Sequence, residues 1–518
     1  FDRWFVANSK EEAEAQASAH FGKKVQVIQD EDVLDTWFSS GLFPFSTVGW
    51  PNTEDQDFKA FYPNSLLETG WDILFFWVAR MVMLGITLTG EVPFQQVFLH
   101  AMVRDAHGRK MSKSLGNVID PLDVIEGITL ERLQLRLEQG NLDPKEVEKA
   151  KAGQKKDFPQ GIPECGTDAL RFALCSYTSQ GRDINLNVLR VEGYRHFCNK
   201  LWNATKFVLA NLSADASYKA QRIDEVRSAA GGQLPVAERW IVSRLNKTIA
   251  AAGKGMRDYD LGSSATAVYS FFLYDLCDVY LEICKPALSA GGQSGVAEKG
   301  VLFHCLETGL RLLHPMMPFL TEELWQRLPR LSGDADSIMV AAYPTEREAD
   351  DDDEAEAQVK LLLDAVTTAR SMRERYGLKP SARPEVIVKA RSAASEAVMA
   401  RLLPAFATLV KAEPVSVLGP QQPGPKGCGL RPVGDVLEVY MVLKGLVDVD
   451  AEMAKLDKNA EGKAGELARL EETMAAASWS KVPEAVREQT TGKAETLRVE
   501  LEALREALAA FEAIKAAQ

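Results

Sequence analysis

The chain has 518 residues, 46% of them hydrophobic and 26% charged, and carries a net charge of −13. That composition excludes a disordered or fibrous chain and supplies apolar residues for roughly three or four domains. No apolar run reaches the roughly 18 uninterrupted residues of a membrane span, since Arg80 separates residues 73–79 from 81–86. The acidity argues against a nucleic-acid partner unless cations are locally concentrated.

Phe1 has neither a methionine nor a basic and apolar leader before it, as expected of a chain that starts inside a longer protein. The seven cysteines (Cys165, Cys175, Cys198, Cys277, Cys284, Cys305, Cys428) are odd in number and form no C-x-x-C pair. Reduced thiols in a reducing, cytoplasmic setting are therefore expected, with no disulfide framework and no structural metal.

Residues 1–34 open with the helix pattern E-E-A-E-A-Q-A-S-A, after which Lys24-Val25-Gln26-Val27-Ile28 alternates as a strand. Asp35-Thr36-Trp37-Phe38-Ser39-Ser40-Gly41 sets an aromatic pair between small polar residues, which suits core packing or a pocket wall. Residues 66–84 read as a strand running into a helix through a turn at Gly70. In a parallel α/β sheet such a turn faces the ligand crevice. Residues 97–103 then read as a buried strand.

That strand feeds Arg109-Lys110-Met111-Ser112-Lys113-Ser114-Leu115-Gly116-Asn117, a loop of two lysines, two serines and a glycine. Two cations on a mobile turn suit a polyphosphate. An ammonium on a flexible stem can follow charge onto a leaving pyrophosphate, and hydroxyl and backbone N–H groups add donors as the loop closes. An arbitrary K-x-x-K, by contrast, is only a solvated basic turn.

Asp120-Pro121-Leu122 starts a helix with proline at its first position, and residues 130–163, rich in Lys, Glu, Gln and Gly, break the pattern. From 190 to 330 the apolar period is 3.6, which predicts a bundle of about four or five helices. Pro315 and Pro318 interrupt its last long helix, and Thr321 reads as the cap of the restart. Arg190, Arg195, Lys200, Lys206 and Phe207 share the first bundle helix. They form either a solvated face or a surface that holds unpaired bases by stacking and phosphate contacts.

Residues 350–354 read as an acidic linker. A helix at 359–375 and strand-like 386–388 and 436–442, around the Pro/Gly-rich loop 419–429, predict a small α/β domain. From Met453 the tail is heptad-like, through Leu456, Ala460, Leu467, Leu470 and Met474, then Leu497, Leu501, Leu504, Leu508 and Phe511. Ser478-Trp479-Ser480-Lys481-Val482-Pro483 lies between the two runs, which favours an antiparallel hairpin over dimerisation.

K-M-S-K-S with its L-G-N-V-I-D-P continuation resembles the signature of class I aminoacyl-tRNA synthetases. D-T-W-F-S-S-G-L-F-P-F resembles the form in the valyl-tRNA synthetase family. The isoleucyl enzymes usually carry an aspartate in place of Ser39, and the leucyl enzymes replace the tryptophan. The resemblance runs along essentially the whole chain in the family's order.

It implies a multidomain fold. An accessory segment at 1–34 borders the editing insertion, and the second half of an α/β Rossmann-type class I catalytic domain follows at 35–189, with an insertion near 130–163 like that of eukaryotic cytosolic enzymes. An α-helical anticodon-binding bundle then occupies 190–345, a small α/β domain 355–446, and a C-terminal antiparallel coiled-coil hairpin that touches tRNA 447–518.

The implied reaction is ATP-dependent activation of valine to valyl-adenylate and transfer to the 3′ end of valine tRNA. Lys110, Ser112, Lys113 and Ser114 would serve the phosphate chemistry, Lys113 foremost. Gly70, close to the nucleotide, Asp72, on the ribose hydroxyls, His100 and Val103, beside the adenine, and Lys113 would hold ATP. Trp37 and Ile73 would line the valine pocket, and Arg190, Lys200 and Phe207 would meet tRNA. Implied partners are valine tRNA, ATP with Mg2+ as a substrate complex, valine and other translation factors. No resident metal or prosthetic group and no membrane are expected, and the hairpin is expected to be monomeric.

None of the six histidines stands in H-x-G-H, the other half of the family's ATP site. The chain is therefore expected to be the C-terminal portion of an enzyme, inactive alone, or else a non-catalytic tRNA-binding module or scaffold.

Overall fold

A computed structural model describes residues 3–112, 116–139, 143–178, 183–214, 218–290, 295–446, 449–475, 479 and 484–517. The chain divides into two units. The first comprises Phe1–Ile119, Asn141–Ala150 and Tyr177–Asn187, and the second Asp120–Gly140, Lys151–Ser176 and Val188–Gln518.

In the first unit, α1 (Lys10–Phe21) is capped by the Ser9 hydroxyl and ends at Gly22, whose φ of 64° is the left-handed turn that glycine adopts readily. α2 (Thr36–Ser46) is capped by Asp35, and α3 (Gln56–Phe61) by Asp55. β1 (Asn64–Gly70) and β2 (Phe94–His100) pair in parallel, from Asn64 opposite Phe94 to Gly70 opposite His100. Parallel strands need a crossover. It is supplied by a 3-10 turn (Trp71–Ile73), a π turn (Leu74–Val78) and α4 (Ala79–Thr89). β3 (Val103–Arg104) pairs in parallel with β4 (Ile184–Asn185).

Two sequence expectations fail here. Residues 24–28 form no strand, because no described strand offers them a ladder and Ile28 is 94% exposed. β2 is not a buried strand either. Phe94 is buried with Val78 and Met81, whereas Val97 and Leu99 are exposed. Apolar runs in parallel strands are matched by cover on both faces, and among the described residues only one face of this pair is covered.

In the second unit, α5 (Pro121–Glu126) has proline in its first turn and Asp120 as its cap. α6 (Leu130–Glu138) and α7 (Pro144–Asp157), which carries residues of both units, make up the segment read as an insertion. The ends of that excursion are clipped by reciprocal backbone hydrogen bonds between Ile128 and Ile162, at 2.9 and 2.8 Å. α8 (Thr167–Tyr177) follows.

The bundle is built from α9 (Val188–Ser213), α10 (Ile223–Ala229), α11 (Val236–Arg257), α12 (Leu261–Ser270), a π segment (Phe271–Tyr280), α13 (Leu281–Ala290), α14 (Val296–Leu313) and α15 (Pro318–Gln326). Leu201, Ile241, Leu245, Phe272, Leu306 and Leu310 are among its fully enclosed side chains. Thr321 is not a cap. Pro318 opens α15, and Thr321, four residues after Met317, is buried inside it, donating to the Met317 carbonyl at 2.7 Å and lying 2.6 Å from His314 Nδ1.

The acidic stretch at 350–354 is a docked segment rather than a solvated linker. Arg227 meets Asp350 at 2.7 Å, Arg239 meets Asp352 at 2.9 Å, Asn246 donates to Asp351 at 2.8 Å, and Lys247 meets Asp353 at 2.7 Å. Carboxylates on one side and cations of α10 and α11 on the other turn a charge run into a seam. It leads straight into α16 (Asp353–Arg375), capped by Asp352 and starting earlier than the pattern suggested.

The remaining domain is a four-stranded sheet in the order β6-β5-β8-β7, with β5 (Val386–Ala390), β6 (Val415–Leu418), β7 (Gly429–Val433) and β8 (Leu437–Met441). α16 and α17 (Ala393–Val410) close over a core that includes Val386, Val388, Phe406 and Met441. By length and composition alone, α17 and the stretch Trp71–Thr89 are long and apolar enough to cross a membrane, although charged residues interrupt both. α17 buries Leu402, Phe406 and Leu409 in this core, and Trp71–Thr89 is the β1–β2 crossover and carries Asp72 and Arg80.

α18 (Val449–Ala475) and α19 (Glu484–Ala517) run antiparallel, with Asp450 paired to Lys515, Lys463 to Glu500, Glu466 to Lys493 and Glu471 to Arg498. Leu467, Ala494, Leu497 and Leu501 form their seam. The turn residues Ser478 and 480–483 lie outside the described residues.

Candidate functional site

The carboxyl ends of β1 and β2 lie side by side at Gly70 and His100. A Cβ on Gly70 would stand 2.9 Å from both Asp72 Oδ1 and Met102 Sδ, and 3.7 Å from His100 Cε1. Glycine thus leaves room for Asp72 and Met102 where they stand, both of which would have to shift for a larger residue. Asp72 follows directly, in the 3-10 turn. Lys110 Nζ reaches to 3.8 Å from Asp72 Oδ2 while its side chain stays 74% exposed. His100 places Nε2 3.3 Å from Glu68 Oε1 and Nδ1 3.0 Å from the Ala101 carbonyl. Val103, half-buried, begins β3 just beyond. Gly70, Asp72, His100 and Lys110 thus converge at the edge where ligands of parallel sheets bind.

Lys110 is delivered by a hairpin. Gly108 N–H donates to the Asp105 carbonyl at 2.9 Å, Asp105 N–H donates to the Arg109 carbonyl at 3.0 Å, and Gly108 adopts φ of 77°. Lys110 then lies opposite Arg104 across an antiparallel bridge. The buried Asp105 carboxylate holds the turn from inside. It accepts the His107 and Arg109 backbone N–H groups at 3.0 and 2.9 Å, Arg109 Nε at 2.7 Å and Asn117 Nδ2 at 3.0 Å. Burial acts to raise its pKa, but these donors outweigh it and hold the group down at about 2. Ser112 N–H donates to Asn117 Oδ1 at 3.0 Å. Lys113 and Ser114 lie outside the described residues.

Trp37 stands in the first turn of α2, its N–H donating to Asp35 at 2.7 Å and its ring 5.6 Å from the Arg80 guanidinium. α2 packs against α4 and the π turn that follows half-buried Ile73. Gly41 permits this approach, since a Cβ there would meet Leu84 at 2.6 Å.

In the second unit, the residues singled out on α9 are less free than their sequence suggests. Arg190 is exposed, but Lys200 Nζ is matched by Asp278 Oδ1 at 2.7 Å. Phe207 is half-buried, with part of its ring packed against the bundle core. The exposed aromatic of this helix is Trp202, with Arg327 5.7 Å from its ring.

Sequence reasoning missed Asp105, Asn117, Met102 and Trp202. D-A-H-G carries the signal of an aspartate-initiated turn, whereas nothing local marks Asn117 as its partner.

Two family models match in succession. The one described as tRNA synthetases class I (I, L, M and V) covers residues 2–187, and the one described as anticodon-binding domain of tRNA ligase covers 238–388. Together they define a class I tRNA synthetase, with a catalytic part followed by an anticodon-binding part.

Over 516 residues the chain is 50% identical to a valine–tRNA ligase of Mus musculus, and 49% identical to one of Homo sapiens, covering 98% of this chain in each case. It belongs to the valine–tRNA ligase family. The chain spans 40% of the length of these two relatives. Among solved structures, a ternary LeuRS–tRNA–LeuAMS complex of Agrobacterium radiobacter matches with a TM-score of 0.43 and 18% identity, over 68% of this chain and 39% of that one.

Proposed function

We propose that this chain, within the full-length protein, supplies the phosphate-facing half of a valine–tRNA ligase site and the tRNA-binding parts that follow it. In the first step a valine carboxylate oxygen attacks the α-phosphorus of Mg2+–ATP. The bond to the β-phosphate bridging oxygen breaks, leaving valyl-adenylate and pyrophosphate. A hydroxyl of the terminal tRNA ribose then attacks the valyl carbonyl, and AMP leaves.

The observation that carries this reading is the Lys110 hairpin standing against Asp72 at the glycine-gated strand end. Lys110, with Lys113 beyond it, adds positive charge where pyrophosphate charge develops, and Ser112 and Ser114 add donors. Asp72 binds the ribose, His100 and Val103 flank the adenine, and Gly70 makes room for the nucleotide. Trp37 and Ile73 wall the valine side chain. The Asp72–Lys110 ion pair is long and exposed, so it holds Lys110 only weakly until ATP arrives.

On the tRNA side, Arg190, Lys200 and Phe207 remain the proposed contacts, joined by Trp202, and the antiparallel helix pair acts as a coiled-coil arm on tRNA. The free thiols support a reducing compartment, and the cytoplasm is the one proposed. A non-catalytic tRNA-binding scaffold would have no use for a lysine hairpin at the carboxyl end of a parallel strand pair.

The test is valine-dependent pyrophosphate exchange by the full-length enzyme carrying Lys110→Ala or Lys113→Ala. Each should cost on the order of 3 kcal/mol in the transition state with valine KM little changed, and Lys113→Ala should cost more. Unchanged exchange in both variants would overturn the assignment.

A further inference from the structure

Asn117 uses its whole amide. An asparagine side chain offers one carbonyl acceptor and two N–H donors. Here Oδ1 takes the Ser112 N–H at 3.0 Å, while Nδ2 donates to Asp105 Oδ2 at 3.0 Å and to the Lys110 carbonyl at 3.3 Å. Two of these three partners are the backbone groups on either side of Met111. The third is a carboxylate already fixed by the His107 and Arg109 N–H groups and by Arg109 Nε.

We propose that Asn117, anchored by Asp105, is a positioning residue for the lysine loop, fixing the backbone from Lys110 to Ser112 so that the Lys110 ammonium starts from one place. This role rests on the proposed reaction. The bridge to Arg104 holds Lys110 from the upstream side, and the Asn117 amide holds it from the downstream side. The backbone origin is thereby set while the exposed side chain keeps its freedom. That combination suits a cation that must reach developing phosphate charge along one path, since small misplacements of a catalytic group are costly.

The contact holds little else together. Lys110 is exposed, and Met111, Ser112 and Asn117 are only half-buried, so losing the amide removes no core packing. Nor can another side chain substitute. Aspartate lacks the two donors and would face Asp105 with like charge, and glutamine is one methylene too long for three contacts at these distances.

The experiment is pyrophosphate exchange by the full-length enzyme and by four variants: Asn117→Ala, Asn117→Asp, Asp105→Asn, and the double exchange D105N with N117D. The double exchange inverts donor and acceptor across the 105–117 contact, leaves the Ser112 N–H an acceptor, and releases exposed Arg109 to water, but it replaces the Nδ2 donor to the Lys110 carbonyl by a carboxylate oxygen, so it restores the anchor to residue 105 and not the contact with Lys110. Asn117→Ala should lower kcat about 10- to 100-fold with valine KM within about twofold, and an unchanged melting temperature. Asn117→Asp should be at least as slow, and the double exchange should recover a measurable part of that loss, because it restores the 105–117 anchor but not the donor to the Lys110 carbonyl.

If the parent enzyme shows no valine-dependent exchange, the proposed reaction falls, and this role with it. If the parent is active and Asn117→Ala exchanges within about twofold of it, the positioning role alone falls. It also falls if the loss is shared between kcat and KM, the melting temperature drops and the double exchange recovers nothing, because the contact would then be packing.

Discussion

Tyr376 and Phe511 meet edge to face, with ring centroids 5.4 Å apart and planes at 82°. Phe511 is 1% exposed and lies in the core of the sheet domain, where Met453 and Leu456 of α18 also pack. The base of the helix pair is therefore welded to that domain, while further along Leu467, Leu497 and Leu501 form a seam of their own.

Phe511→Ala should remove about 3 to 5 kcal/mol from that junction and leave the distal seam intact. Hydrogen exchange should then quicken at both ends of the pair near the domain, at the start of α18 and the end of α19. Unchanged protection there would show that the pair is held by its own seam alone.

Asn246 joins α11 to the segment that leads into α16. Its amide accepts the Arg347 N–H at 2.8 Å and donates to the Arg347 carbonyl at 2.9 Å and to Asp351 at 2.8 Å. Asn246→Ala should cost about 2 kcal/mol, because buried donors and acceptors lose partners. Asn246→Asp should cost more, since it loses both donations and confronts Asp351 with like charge. Urea unfolding of the two variants checks the order; equal midpoints for both variants and the parent would reduce the contact to decoration.

Lys200 spends its charge on Asp278 before any tRNA arrives. If Lys200 serves a phosphate, Asp278→Asn should free it, tightening tRNA binding several-fold at low salt and steepening the salt dependence by about one counterion. Binding titrations at two salt concentrations measure both effects. An unchanged or weaker affinity would mean that the pair is structural and that α9 meets tRNA elsewhere, with Trp202 and Arg190 the next to examine.

What the sequence disclosed, and what it hid, follows from the range of the interactions. The Gly70 turn, the 3.6 period of the bundle and the heptads of the tail are local patterns, and each lies on a described element at its expected place. The fate of the acidic stretch was not local. Asp350, Asp352 and Asp353 find their cations on α10 and α11, more than a hundred residues earlier, so in sequence they look solvated. The same holds for Lys200 and Asp278, and for Phe207, whose helical position alone does not say which way the core lies. At the strand end that carries Gly70 and His100, single residues could be named from the sequence, while what supports the lysine hairpin beside them could not. Asp105 and Asn117 are twelve apart, and only the hairpin brings them to 3.0 Å.

Glu238 makes the stability of the bundle pH-dependent in a direction that can be stated. It is 3% exposed on α11 and accepts the Tyr280 hydroxyl at 3.2 Å. Burial, and then the charge of Glu298, push its carboxyl from an ordinary 4.5 up to about 7, against the opposing pull of a backbone N–H and Tyr280. The folded state therefore keeps this proton over a range in which the unfolded chain has lost it. Its contribution is fully present below about pH 4.5, falls as pH rises towards about 7, and is level above that. The gap of about 2.5 units corresponds to about 3 kcal/mol.

Glu238→Gln keeps an acceptor for Tyr280 and removes the titration. Relative to the variant, the parent should lose about 3 kcal/mol between pH 4.5 and pH 8, because the shared titrations of all other groups cancel in the comparison. Urea midpoints of the two proteins, measured across that range, supply the difference. Parallel curves would show that Glu238 stays ionised in the folded bundle, with a water or a cation compensating its charge.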